Sequence, residues 1–329
     1  MLRWIVLLLT SSLAAQVAPL PKYRVVKGGR IDAVNALADQ GYRLIVPGEL
    51  FIMRLESTPP DTYRYVAMNP DGGREQFLNT LNEQGAHGYR WVPGGGVGEK
   101  EPHPKNFEYS FIAPPSWNGK TKPETIASLT DQDYRLVDSV FFAATIGPGA
   151  AEVLFQREVE AKPKSLPTTK APEIEIVRAS RADNVLGQLN ERAKKGYRYL
   201  WPYDSGPAGG WGDWIQKCEP ECEQGFEYRY FSIHGMDQLD KDLNAEGKNG
   251  FRVVPVRLRS TSHLLERAGG ENETYAYHVI RVKDPEPLEQ ALNAPDQEGY
   301  VPIGYVWRVG WTGDEFLLLE KPSTASRTQ

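Results

Sequence analysis

Apolar residues recur along the chain in short runs at helical spacing. Phe77, Leu78 and Leu81 form one run, Val185, Leu186 and Leu189 a second, Leu239 and Leu243 a third, and Leu288 and Leu292 a fourth. Each run marks a single buried stripe on a short helix. Each helix pattern ends at a glycine and gives way at once to an aromatic residue. The phrase reads LNEQGAHGYRWV (81–92), LNERAKKGYRYL (189–200), LNAEGKNGFRVV (243–254) and LNAPDQEGYVPI (292–303).

Aligned on the glycine-aromatic step, the phrase occurs six times. The aromatic is Tyr42, Tyr89, Tyr134, Tyr197, Phe251 or Tyr300. Before it stands Gly41, Gly88, Gly196, Gly250 or Gly299, with Asp133 in the third copy. A glycine here predicts a left-handed residue that stops the helix without steric cost. Upstream lie Asn35, Asn82, Asn190, Asn244 and Asn293, with Ala127 in the third copy. Asparagine near a helix end commonly bonds neighbouring backbone groups, so these five are expected to be structural caps.

A strand pattern precedes each helix. TYRYVAM, FEYSFIA, FEYRYFSI and TYAYHVIRV carry aromatics at every second position, which puts them on one sheet face. Tyr23–Val26 and Ile174–Val177 fill the same slot in the first and fourth copies. This aromatic face is expected to be core beneath a helix.

The unit is therefore strand, helix, strand, then a turn into the next strand. The predicted class is α+β, with two-layer lobes in which helices cover one face of a mixed sheet. Three units fall in residues 17–160 and three in 173–322. Between them AKPKSLPTTKAP (161–172) is rich in Pro and Lys and lacks apolar periodicity, so it reads as a linker. Residues 323–329 read as a disordered tail.

The run LNEQGAHGYRWV resembles the signature of a small bacterial domain-of-unknown-function family. That signature has Leu-Asn, a Gly three residues on, another Gly three further, then Trp-Glu-Leu. Asn82, Gly85 and Gly88 fit the spacing, as do Asn244, Gly247 and Gly250. The chain departs in having Tyr-Arg for Trp-Glu, and Ala193 and Asp296 for the middle Gly. The resemblance implies a small strand-helix-strand-strand fold and supplies no catalytic residues.

Composition narrows the function. The net charge of -5 weighs against nucleic acid, whose binding requires a basic surface. MLRWIVLLLTSSLAAQ orders a basic start, an apolar run too short to span a bilayer, and small residues. Residues 1–16 are thus expected to be a signal peptide on an exported protein, with no integral membrane segment after cleavage. In that setting Cys218 and Cys222 (KCEPECEQG) are expected to form a disulfide stapling a small loop rather than half of a zinc site.

Candidate chemistry is sparse. No nucleophile elbow, phosphate-binding Gly loop or His-Glu-x-x-His motif is present, and His87, His103, His234, His263 and His278 are scattered. No catalytic residue, metal ligand or cofactor is assigned. Arg43, Arg90, Arg135, Arg198 and Arg252 follow the repeat aromatics, and nearby Glu is expected to balance them. Trp117, Trp211, Trp214, Trp307 and Trp311 stand among Gly, Asp and Asn in loop-like sequence, where exposed rings can stack on sugars. The leading expectation is a non-enzymatic binding or scaffold module with an unidentified protein or glycan partner. One alternative is glycan or peptidoglycan recognition through the Trp loops. Another is a hydrolase with paired Asp or Glu between the lobes.

Overall fold

A computed structural model of the protein describes residues 20–56, 62–69, 72–112, 123–142, 150–159, 173–179, 182–204, 211–218, 225–231, 236–255, 263–269, 273–282, 284–307 and 315–323. Six units follow one another, each built as strand, helix, strand, strand. The first comprises β1 (Tyr23–Lys27), α1 (Ile31–Ala38), β2 (Tyr42–Val46) and β3 (Leu50–Leu55). The second has β4 (Arg64–Ala67), α2 (Gly73–Ala86), β5 (Tyr89–Val92) and β6 (Val97–Lys100). The third has β7 (Asn106–Ile112), α3 (Pro123–Thr130), β8 (Arg135–Phe142) and β9 (Ala150–Val159). The fourth has β10 (Ile174–Ala179), α4 (Ala182–Ala193), β11 (Tyr197–Asp204) and β12 (Trp211–Lys217). The fifth has β13 (Phe226–Phe231), α5 (Met236–Lys248), β14 (Arg252–Val253) and β15 (His263–Ala268). The sixth has β16 (Thr274–Arg281), α6 (Pro285–Leu292), β17 (Val301–Trp307) and β18 (Glu315–Ser323).

The repeated α+β arrangement is present, with a different sheet plan from the expected mixed sheets. Each unit has its own three-stranded sheet, and the third strand lies between the first two, as in β1-β3-β2. Every paired neighbour is antiparallel. The returning strand inserts between the strands that the helix connects, so those two never pair with each other.

The helix stop works as the pattern predicts. Gly41, Gly88, Gly196, Gly250 and Gly299 all have φ between 82° and 92°. In the third copy Asp133 takes the same place with φ 63°, and it is the one non-glycine residue of the described set with positive φ. Asp tolerates this region better than most residues, because its short side chain can bond locally.

The asparagines do more than bond their own helices, as Asn190, Asn244 and Asn293 do one turn back. Each side-chain amide reaches the first strand of the next unit. Asn35 Nδ2 donates to the Tyr65 carbonyl at 2.9 Å, and the Tyr65 N–H donates to Asn35 Oδ1 at 2.8 Å. The same two-bond clamp joins Asn82 to Tyr109, Asn190 to Tyr228 and Asn244 to Tyr277. Asn293 closes it onto Tyr23, with bonds of 3.0 and 2.9 Å across 270 residues of sequence.

The apolar residues follow the same rule. Among the described residues six core clusters occur, and each is shared by two neighbouring units. The cluster of Val34, Tyr42 and Met53 in the first unit takes in Tyr65 and Val97 of the second. The cluster of Leu288, Leu292, Tyr305 and Leu317 in the sixth takes in Tyr23, Val46, Leu50 and Ile52 of the first. The Tyr305 hydroxyl also donates to the Leu50 carbonyl at 2.6 Å. The six units therefore close on themselves.

The contacts do not mark out two lobes. Packing runs through the third-to-fourth boundary, where Trp214 lies in one cluster with Ile112, Ile126, Tyr134, Leu136, Val153 and Phe155. That junction is nevertheless unlike the others. Ala127 replaces the clamping Asn, and Ile174 stands in the register position held by Tyr228 and Tyr277 elsewhere. Trp214 occupies the place of Leu264 and Leu318, and its larger ring fills the space.

The forward docking of helix onto strand demands a small residue. A Cβ on Gly247 would lie 2.2 Å from the Tyr275 carbonyl oxygen, and one on Gly85 would lie 2.3 Å from that of Phe107. Both obstacles are backbone and cannot swing away. Gly247→Ala is therefore expected to cost about 1–3 kcal/mol by forcing the elements apart. Gly187 in α4 has open space around its Cβ, so Gly187→Ala is expected to add about 0.5–1 kcal/mol. Chemical denaturation of the two variants checks the contrast, and equal midpoints would reject the close-docking account.

Candidate functional site

In three copies the arginine that follows the repeat aromatic meets the next unit. Arg43 on β2 donates to Glu99 on β6 at 2.8 and 3.1 Å. The Tyr65 hydroxyl donates to the same carboxylate at 2.9 Å and accepts from the Leu44 N–H at 2.8 Å. Arg198, Glu266 and Tyr228 repeat this network, with the Tyr199 N–H as backbone donor. Arg252, Glu320, Tyr277 and the Val253 N–H repeat it again. Burial raises all three tyrosine hydroxyls well above their ordinary value, so they stay protonated and can donate. For Arg43, Arg198 and Arg252 the balancing Glu lies in the following unit.

The remaining junctions vary. At the second-to-third junction Gln156 takes the Glu position. Arg90 turns instead to Glu99 at 3.1 Å and Glu101 at 3.4 Å in its own unit. The gap is served by Asp138, a buried carboxylate that accepts from the Trp91 indole N–H at 2.6 Å, the Gly94 N–H at 2.9 Å and the Ser139 N–H at 2.7 Å. At the closing junction Val301 and Arg54 occupy the Arg and Glu positions, and Arg24 pairs with Glu289 instead.

Trp214 is 1 % exposed and belongs to the core, which removes it from any stacking face. Its Gly-Asp neighbours suggest a loop, yet it sits on the central strand with its ring turned inward. Trp211 opens β12 opposite Asp204, and Trp307 ends β17 opposite Glu315. Trp117 and Trp311 lie outside the described residues, as do Cys222 and His234. Cys218 follows β12, and its N–H donates to the Gly196 carbonyl at 3.0 Å.

His263 is buried and stacks on Phe231 with ring centroids 5.0 Å apart, while His87 and His103 are exposed. No group of three His, Cys, Asp or Glu side chains that could hold a metal occurs among the described residues. Among these residues Leu20 is the one large hydrophobic side chain that is exposed. None of the described helices is long and apolar enough to cross a membrane. One cavity of about 390 Å³ opens on the second unit, lined by Thr62, Arg64, Lys100, Glu101, Pro102, His103 and Pro104.

Sequence reading missed Glu99, Glu266 and Glu320, although a signal for them was present. The third strands read VGEK, LLER and LLLEK around these residues, and LFQR and WIQK in the units carrying Gln. The recurring Glu or Gln before a basic residue marks the lock as plainly as the glycine marks the helix stop.

No family model, curated protein or solved structure matches the chain.

Glu320 provides a pH test of the lock. Burial pushes its carboxyl above the ordinary value of 4.5, while Arg252 and Tyr277 pull it back. The folded state therefore holds this proton more tightly than the unfolded state does. Its contribution to stability falls as pH rises from 4.5 through the higher folded value. The stability difference between wild type and Glu320→Gln should accordingly shift against wild type across that window. Parallel pH–stability curves for the two proteins would contradict this.

Proposed function

We propose that the chain is a non-enzymatic, exported repeat protein whose six linked units serve as a binding or scaffold module. The observation that carries this reading is the use made of the repeated residues. Asn, Gly, Arg, Glu and Tyr of the motif are engaged in joining one unit to the next. A motif spent on assembly builds a rigid frame, and recognition then falls to residues that differ between units. The suspected relation to a bacterial domain-of-unknown-function family, the signal peptide at 1–16 and the Cys218–Cys222 bridge belong to this proposal.

A hydrolase is less well supported. It calls for two neighbouring carboxylates, at least one with a raised pKa. Glu320 has the raised value, but its partners are Arg252 and the Tyr277 hydroxyl.

Tryptophan fluorescence during titration with cell-wall and soluble polysaccharides separates the readings, with released sugar followed in parallel. A frame that binds without catalysis should release no sugar. A saturable fluorescence shift lost on replacing Trp211, Trp307 or Trp311 by Ala would identify a glycan ligand. Sugar release that scales with protein concentration would overturn the non-enzymatic reading.

A further inference from the structure

The repeat makes one exception visible. In most units the third strand carries a cation beside the aromatic that opens the second strand. Arg157 lies over Tyr134, Arg267 over Phe251, Lys321 over Tyr300 and Lys100 over Tyr89. In the third and fifth units the residue directly across on the first strand is an acid. Glu108 faces Arg157, and Glu227 faces Arg267. Both form ion pairs. In the second unit the residue facing Lys100 is Arg64.

Like charges directly opposite one another on a sheet are destabilising. Arg64 does pair with Asp39, but these side chains are 45 % and 54 % exposed, and such pairs contribute little. Among the described residues no carboxylate lies within ion-pairing distance of Lys100 or His103. Both cations of the mismatched pair line the 390 Å³ cavity, together with His103 and Thr62. The carboxylate in its wall, Glu101, is already held by Arg43 at 3.1 Å and Arg90 at 3.4 Å. Pro102 and Pro104 stiffen the rim, and a Cβ on Gly88 would meet Pro104 at 2.7 Å, so the rim is seated against its own unit.

We infer that this cavity binds a small molecule through an oxyanion group, phosphate or carboxylate, held between Arg64 and Lys100. A guanidinium fork beside an ammonium suits either oxyanion, and the volume accommodates a ligand larger than a bare ion. The inference rests on the binding-module reading and gives it a ligand class.

Isothermal titration calorimetry at low salt, with inorganic phosphate and with succinate as probes, tests it on the full chain. Wild type should bind at least one probe saturably, phosphate alone indicating a phosphorylated ligand and succinate alone a carboxylate. Arg64→Glu recreates the acid–cation pair of the third and fifth units while losing the exposed Asp39 pair, so it should leave the thermal midpoint near that of wild type. It should also weaken probe binding at least about tenfold, and Lys100→Gln should do the same. The site is rejected if neither probe binds wild type, or if Arg64→Glu binds as wild type does. That result would leave the scaffold reading intact. Chemical conversion of a bound probe would instead overturn the non-enzymatic reading while keeping the site.

Discussion

The structure depends on a side-chain amide acting as a strand. An edge strand presents alternate residues whose N–H and C=O both point away from its sheet, and left open these groups invite unwanted pairing. Asn35, Asn82, Asn190, Asn244 and Asn293 each supply one donor and one acceptor to such a residue in the following unit. An amide reproduces the peptide it replaces, in a way that neither a carboxylate nor an amine can. The clamp thereby protects an edge and fixes the position of each helix against the next sheet.

The location of the cores follows from that constraint. Among the described residues no unit encloses a hydrophobic core of its own, since each of the six clusters spans a junction. An open array built this way would leave one apolar helix face and one bare strand edge at its ends, which other repeat proteins cover with special capping units. Here the last helix covers the first strand, and the two ends satisfy each other. The Asn293 clamp, the Arg24–Glu289 pair and the Tyr305 contact to Leu50 make that closure. Local contacts then suffice for every junction except this one, which joins residues far apart in sequence.

The sequence made the unit legible and left the assembly hidden, for a physical reason. Gly41 or Gly196 announces a helix stop because left-handed backbone is a local property that one residue decides. Asp133 confirms this, since it holds the same conformation without being glycine. Asn190 looks like a local cap because asparagine usually bonds nearby backbone. It does donate to Leu186 one turn back, but its larger role is 38 residues away. Trp214 misled for a related reason. Its Gly-Asp surroundings suggested a loop, while its burial is set by the neighbouring unit. Composition and spacing register what a residue is beside in sequence, and in a closed repeat the decisive neighbour is in the next copy.

The same logic says where to look for function. Positions that agree across the six copies answer to assembly, and where they fail the frame compensates with something equally structural. Ala127 and Ile174 give up the polar clamp, and Trp214 fills the junction with apolar surface. Gln156 gives up an ion pair, and Asp138 gathers three donors nearby. Arg64 opposite Lys100 departs from the pattern of Glu108–Arg157 and Glu227–Arg267, and among the described residues its cations are met only by the exposed Asp39 pair and the Tyr89 ring. A repeat protein supplies its own internal controls. A cation pair in one copy, where the third and fifth copies place an acid against a cation, points to a role outside the frame.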